Sequence, residues 1–275
     1  MTLTDRIDAL AGAVSAEARA AVAEAAALAE PAFSAILAGS LDAVSAGLDL
    51  CLVSCASARW VGGEPEEGIP GAAAAHILDA ATASHLTLPG FMLDLPVESV
   101  WSECGEASAI LAGDALVPAA MGYLASKGGL NANRLVGAAA SLLCGSILPG
   151  FSSELSLRDR RKTELQEREN AWRRHAGGLA RFAAEAGAVL AGADAQAVDG
   201  AALAGLELGR AVDLARMPGC PSRHGSPLTE RVADARAALS SLADSLAGDS
   251  RADLFIDLIG RIRSSLEGAD LFAQG

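Results

Sequence analysis

Aromatic side chains are scarce in this chain, with one Tyr, three Trp and six Phe among 275 residues. A core without them is built from Ala, Leu and Val, and small side chains let backbones approach closely, which suits packed helices. Alternation long enough to build a sheet is missing, and so are tandem repeats and an interdomain linker. Basic residues are in deficit, 21 Lys and Arg against 34 Asp and Glu, for a net charge of −13. That balance excludes a nucleic-acid binder, which needs clustered cations, and disfavours adsorption to anionic membranes. The one dense basic run, Arg158 to Lys162, lies beside Glu164, Glu167 and Glu169 and reads as a solvated, salt-bridged stretch.

The start, MTLTDRIDAL, places Asp5 and Asp8 where a secretory leader needs a cationic and then an apolar region, so a cytoplasmic protein is expected. The five cysteines form no C-x-x-C pair and no framework of even count. Cys220 and His224 are four apart in a Pro-rich loop without a second pair and read as ordinary loop residues. The longest uncharged run, Leu135 to Ser153, contains Gly137, Gly145, Pro149, Gly150 and four serines. These make it a poor bilayer span, and a buried core helix is the expectation.

Helical periodicity runs nearly throughout. It predicts helices over 3–29, 33–61 with an interruption near Ala46-Gly47, 71–88, 104–127, 130–148, 152–191 with a break in its charged middle, 194–217, 228–246 and 250–266. Pro31, Gly62-Gly63, Pro89-Gly90, Gly128-Gly129 and Pro218 to Pro227 supply the boundaries, and Phe91 to Glu103 reads as a loop. The expected architecture is all-α, a single domain over 1–275 with about eight to ten helices.

Four blocks carry a family resemblance. GEASAILAGDALVPAA, Gly105 to Ala120, resembles the G-E-A-x-A-I-L-A-G-D-A-L helix of the trans-prenyl diphosphate synthases. SAGLDLCLVSCASARWVGG, Ser45 to Gly63, resembles the family's G-G-K-R-x-R-P segment and its following helix, with Gly47, Leu48, Leu50 and Cys51 at the Lys, Arg, Arg and Pro positions. AHILDAATASHLTLPGFMLD, Ala75 to Asp94, resembles E-x-x-H-x-A-S-L-x-H-D-D-x-P; His85 and Pro89 match, whereas Leu86 and Thr87 occupy the paired aspartate positions. In Arg174 to Met217, His175 stands at the family's Lys, Asp213 at its Gln, and Arg216 with Met217 at its second aspartate pair.

The resemblance implies an isoprenoid-synthase-like bundle around a central cavity. It also implies prenyl transfer with magnesium, whose hard oxygen ligands neutralise the departing diphosphate. In this chain the residues that should hold those ions are missing from the matching positions, so ordinary chain elongation and a magnesium cofactor are not expected. A substitute constellation would draw on His85, Asp94, His175, Asp213 and Arg216; for the two histidines, simple packing is the competing reading. Glu98, Glu103 and Glu106 read as a solvated helix start and Asp114 as a structural residue. The sequence holds no G-x-S-x-G, G-K-[ST], H-E-x-x-H or D-x-D-D motif.

Three functions follow from retained packing with altered chemistry. The first is a non-catalytic subunit that forms a homo- or hetero-dimer, the latter with a motif-complete prenyl diphosphate synthase. The second is an enzyme repurposed to an isoprenoid through a new, metal-independent site. The third is a carrier or sensor of an apolar, isoprenoid-like ligand.

Overall fold

The computed structural model describes residues 3–88, 100–158, 165–215 and 228–272, and among these every regular element is a helix. Helix α1 (Leu3–Ala25) is followed by α2 (Pro31–Ala43), whose Pro31 sits in the first turn, where its missing N–H has no partner to lose. A 3-10 turn, Ser45–Gly47, then leads into α3 (Leu48–Cys51) and α4 (Val53–Trp60), so the interruption expected near Ala46-Gly47 is present. Helix α5 (Ile69–Leu86) follows a 3-10 turn at Pro65–Gly68. Next come α6 (Val100–Cys104) and α7 (Glu106–Lys127), divided at Gly105, whose φ of +86° suits glycine. Helix α6 lies inside the stretch expected as a loop, at its end.

The largest departure from expectation is in the middle of the chain. Helices α8 (Ala132–Leu142) and α9 (Leu148–Arg158) are joined by a π turn at Leu143–Ile147 rather than separated near residue 150. The later break falls between α10 (Leu165–Trp172) and α11 (Gly178–Leu190). Helices α12 (Ala195–Ala215), α13 (Leu228–Leu246) and α14 (Asp253–Phe272) complete the bundle close to their expected places.

Small residues set the spacing. A Cβ at Gly187 on α11 would sit 1.9 Å from the Ser54 carbonyl oxygen of α4, and one at Gly205 on α12 would sit 2.5 Å from the Ala180 carbonyl oxygen. The backbones of α4, α11 and α12 therefore pack nearly in contact, with Ala183, Ala184, Ala186, Ala201 and Ala204 buried between them. The Ser54 hydroxyl in this crowded layer donates to the Gly68 carbonyl at 2.8 Å, leaving no orphan there. The scarce aromatics sit where bulk is needed: Phe182 and Phe255 are fully buried, and Trp60 meets Phe255 edge-on at 5.8 Å while its indole N–H donates to Asp249 at 3.2 Å. Arg261 of α14 reaches both Asp8 of α1 and Asp49 of α3, tying the last helix to the first.

The uncharged run Leu135 to Ser153 is not a core helix. Its Leu135, Ala139 and Leu142 are buried, but Gly137, Ser141, Cys144, Gly145 and Leu148 face outward. Glu106–Lys127 and Gly129–Leu157 are both long and apolar enough to cross a bilayer by length and composition, with only 39% and 28% of their apolar windows buried. Seven large hydrophobic residues are exposed among the described residues, and Ile110, Leu111, Leu130, Leu148 and Leu155 all fall on these two stretches.

Close backbone contact makes a paired prediction. Gly187→Ala should lower stability by about 3 kcal/mol, because a methyl group has no space against a carbonyl oxygen. Gly12→Ala on the exposed side of α1, with no atom within 4 Å of the new methyl, should raise it by about 1 kcal/mol. Urea midpoints of the two variants check both signs.

Candidate functional site

His175 and Asp213, two of the residues singled out in the sequence, are brought to the same turn. The chain passes from α10 to α11 through Arg173 to Gly177, and α12 runs alongside. The Asp213 carboxylate accepts the Gly177 N–H at 2.7 Å, and its carbonyl oxygen accepts the Trp172 indole N–H at 3.0 Å. Gly177 has φ +80°, and a Cβ there would lie 2.5 Å from the Leu206 carbonyl oxygen, so glycine is required on both counts. Asp213 thus fastens the turn to α12.

The His175 ring fills the space beside this turn. Trp172 and Phe151 present edges to it at centroid distances of 4.6 and 5.8 Å. Gly150 lets α9 come against the ring, where a Cβ would be 2.7 Å from it. The Ser146 hydroxyl, on the π turn, donates to the His175 carbonyl at 3.3 Å. Glu154 places Oε1 2.9 Å from the His175 Nε2. Burial leaves His175 only 8% exposed and pushes its pKa down to about 4, so the ring is neutral at pH 7 and donates its Nε2 proton to Glu154. Glu154, Trp172 and Phe151 were not visible as a group in the sequence; the signal was the i, i+3 spacing of Phe151 and Glu154 on one helix face, which only the packing of α9 on the turn makes meaningful.

His85 lies apart from this cluster. Its Nε2 is 3.3 Å from the Ile110 carbonyl oxygen and 3.5 Å from Asp114 Oδ1, and its ring packs on Gly113 of α7. It therefore links the end of α5 to α7, with Asp114 as its neighbour. The Thr87 hydroxyl donates to the Ala83 carbonyl at 2.9 Å and closes the end of α5. Asp94, Glu98 and Arg216, like Cys220 and His224, lie outside the described residues.

A histidine the sequence reading passed over, His76, is 2% exposed on α5. Burial, reinforced by Arg19, lowers its pKa, and its Nδ1 makes no hydrogen bond.

The described residues do not fit a magnesium cluster. Leu86 has no donor atom, and Thr87 offers a single neutral hydroxyl where the hard, charged oxygens of carboxylates would be needed. Among the described residues no group of three or more His, Cys, Asp or Glu side chains converges as a metal site would require. What the cluster around His175 offers chemically is one neutral imidazole hydrogen-bonded to a carboxylate and walled by two aromatic edges.

Its protonation gives a pH dependence with a definite sign. The folded-state pKa of His175, about 4, lies below the unfolded value of about 6.5. The neutral form therefore contributes stability that is fully present above pH 6.5 and is lost as pH falls toward 4, on the order of 3 kcal/mol in total. His175→Gln should flatten this part of the stability-versus-pH curve, followed by urea unfolding between pH 7 and 4. An imidazole that titrates above 6.5 by NMR in the folded protein would show instead that Glu154 dominates its protonation.

Comparison with known proteins places the fold. The sequence matches no family model and no curated protein. Solved structures do match over nearly the whole chain. A farnesyl/geranylfarnesyl diphosphate synthase from Zymomonas mobilis superimposes with a TM-score of 0.73 at 18% identity, covering 94% of this chain and 99% of that one. The geranyl diphosphate synthase small subunit from Antirrhinum majus gives 0.69 at 19% identity, covering 94% and 100%. A mint heterotetrameric geranyl pyrophosphate synthase gives 0.65 at 19% identity, covering 90% and 98%. The chain therefore has the all-α fold of the trans-prenyl diphosphate synthases.

Proposed function

We propose that this chain is a non-catalytic partner or regulatory subunit of a prenyl diphosphate synthase in isoprenoid biosynthesis, and that it docks through the outer face of α7, α8 and α9. The observation that carries this reading is the uncovered apolar surface on those helices. Leu111 is 54% and Leu148 63% exposed, and Ile110, Leu155 and the small residues Gly137, Ser141 and Gly145 are exposed on the same helical stretches. Large apolar side chains exposed together on a few elements are the mark of an interaction site. Between the ends of α7 and α8 the exposed charges are Asp114 and Arg134, with Glu106 and Lys127 at the two ends of α7, so a complementary apolar face can approach the middle of these helices with modest desolvation cost.

A protein partner suits this face better than a bilayer. Each helix also packs one side against the core, α7 on α5 and α8 on α11, and small residues at Gly137, Ser141 and Gly145 allow a partner backbone to come close. Gly145, Pro149 and the serines are poor membrane-spanning composition. Leu86 and Thr87, in place of paired carboxylates, support the non-catalytic part of the reading. The likeness to a small subunit and to a heterotetrameric synthase supports the partner part. The partner we assign is a motif-complete synthase of the same fold.

One observation favours a second reading. The buried His175–Glu154 pair with its aromatic walls has the composition of an acid/base dyad facing an apolar molecule, which would serve a repurposed, metal-independent isoprenoid enzyme. Turnover of a terpenoid by the chain alone, lost in His175→Gln with folding intact, would select it.

Co-expression with an intact geranylgeranyl-type synthase tests the first reading. The two chains should co-elute, and Leu111→Asp with Leu148→Asp should reduce the complex at least tenfold while leaving each chain folded. Cys144 is exposed on the docking face and should react with maleimide at least tenfold more slowly in the complex. Elution of the chain by itself, or a complex indifferent to both substitutions, would contradict the assignment.

A further inference from the structure

One element belongs both to the cluster around His175 and to the outer apolar face. The stretch from α8 through the π turn to α9 is continuous, and its two sides have different neighbours. Inward, the Ser146 hydroxyl donates to the His175 carbonyl at 3.3 Å, Gly150 is buried against the His175 ring, and Glu154 Oε1 lies 2.9 Å from His175 Nε2. Gly178, the first residue of α11, makes room for this approach, since a Cβ there would lie 2.4 Å from the Ser146 hydroxyl oxygen. Outward, Cys144, Gly145, Leu148 and Leu155 are exposed.

The π turn decides which residues occupy which side. It closes i to i+5 rather than i to i+4, and so absorbs one residue more than an α turn. Each residue of an α-helix turns the chain by about 100°. Were the stretch α-helical throughout, Gly150 would stand about 80° and Glu154 about 120° round the axis from the buried Leu142. With one residue absorbed at Leu143–Ile147, both fall within about 20° of Leu142 and meet the turn that carries His175. Leu148 and Leu155, seven residues apart, then lie about 120–140° from that line, and without the π turn they would lie as far round on the opposite flank. The α register is the default of a helical chain, because π geometry is rare. The Ser146 hydrogen bond, the close approach of Gly150 and the Glu154–His175 pair, made to a single turn, favour the π register instead.

We propose that the His175 turn fixes the register of the Leu143–Ile147 π turn, and through it the direction in which α9 presents Leu148 and Leu155 to the partner subunit. Ser146, Glu154 and His175 are positioning residues, set on the side of the stretch away from the partner, and they act on docking through the rotation of α9. The consequence for docking rests on the partner-subunit reading, whereas the register is a property of the chain alone. Coupling between two sites is reciprocal, so a partner held by Leu148 and Leu155 steadies the turn at His175 in return.

The experiment measures amide hydrogen exchange on the isolated chain, and affinity for an intact geranylgeranyl-type synthase, in wild type and four variants. Glu154→Leu removes the acceptor, Gly150→Ala places a methyl group 2.7 Å from the His175 ring, and Ser146→Ala removes one hydrogen bond. Glu154→Gln keeps an oxygen that accepts the imidazole N–H. The first two should speed exchange over residues 143–155 by about tenfold and leave α4 and α5 unchanged. They should also weaken the complex by about tenfold, although the outer face is unaltered. Glu154→Gln should return both readouts to within about twofold of wild type. Complex formation by the wild type should slow exchange at Gly177 and Gly178, which the partner does not touch, by about tenfold. Ser146→Ala, which removes no packing, decides the point if the first two variants fail to fold. Wild-type exchange over 143–155 in the folded variants would overturn the register, and wild-type affinity despite raised exchange would overturn its role in docking. A wild-type chain that does not bind the synthase would overturn the partner reading instead, with exchange still deciding the register.

Discussion

Backbone contact between α4 and α11 sets the geometry from which the rest follows. With Gly187 against the Ser54 carbonyl and Gly205 against that of Ala180, the central helices lie nearly as close as helices can. A bundle held by alanine and glycine needs few large side chains, which accounts for the scarcity of aromatics. It also fixes where α12 meets the α10–α11 turn, and so where Asp213 and His175 come together. Trp60 and Phe255 then meet at the anchor of α14.

At that turn two polar side chains are engaged within the fold. Asp213 accepts a backbone N–H at 2.7 Å, and the neighbouring His175 is a neutral ring in an aromatic setting. Asp213 holds one helix connection in place. Packing has been kept on the inside, while the outer side of α7 to α9 has stayed apolar and uncovered. Both features support the proposed reading of a subunit held by another chain.

Much of the fold was legible in the sequence, and the reasons are local. Pro31, Gly62-Gly63 and Gly128-Gly129 punctuate helices by backbone chemistry that needs no tertiary knowledge. The break near Gly47 was legible for the same cause. The orientation of the run Leu135 to Ser153 was not. An apolar helix reads alike whether its apolar sides meet a core or await a partner, since periodicity reports where apolar residues stand and not what covers them. The π turn at Leu143–Ile147 has no local signature either, and it joined two helices expected to be separate. In the site, His175 and Asp213 could be named from the motif positions, but Phe151 and Glu154 of α9 and Trp172 of α10 come from two helices that only packing brings together. His85 was a matched position whose structural neighbours, Ile110 and Asp114, show it bridging two helices.

The most direct measurement is pyrophosphate release by the purified chain alone, supplied with an allylic diphosphate, isopentenyl diphosphate and excess Mg²⁺. The proposed non-catalytic reading predicts none above the rate without protein, because Leu86 and Thr87 stand where paired carboxylates would stabilise the departing group. Release that depends on Mg²⁺ and on the folded chain would contradict it.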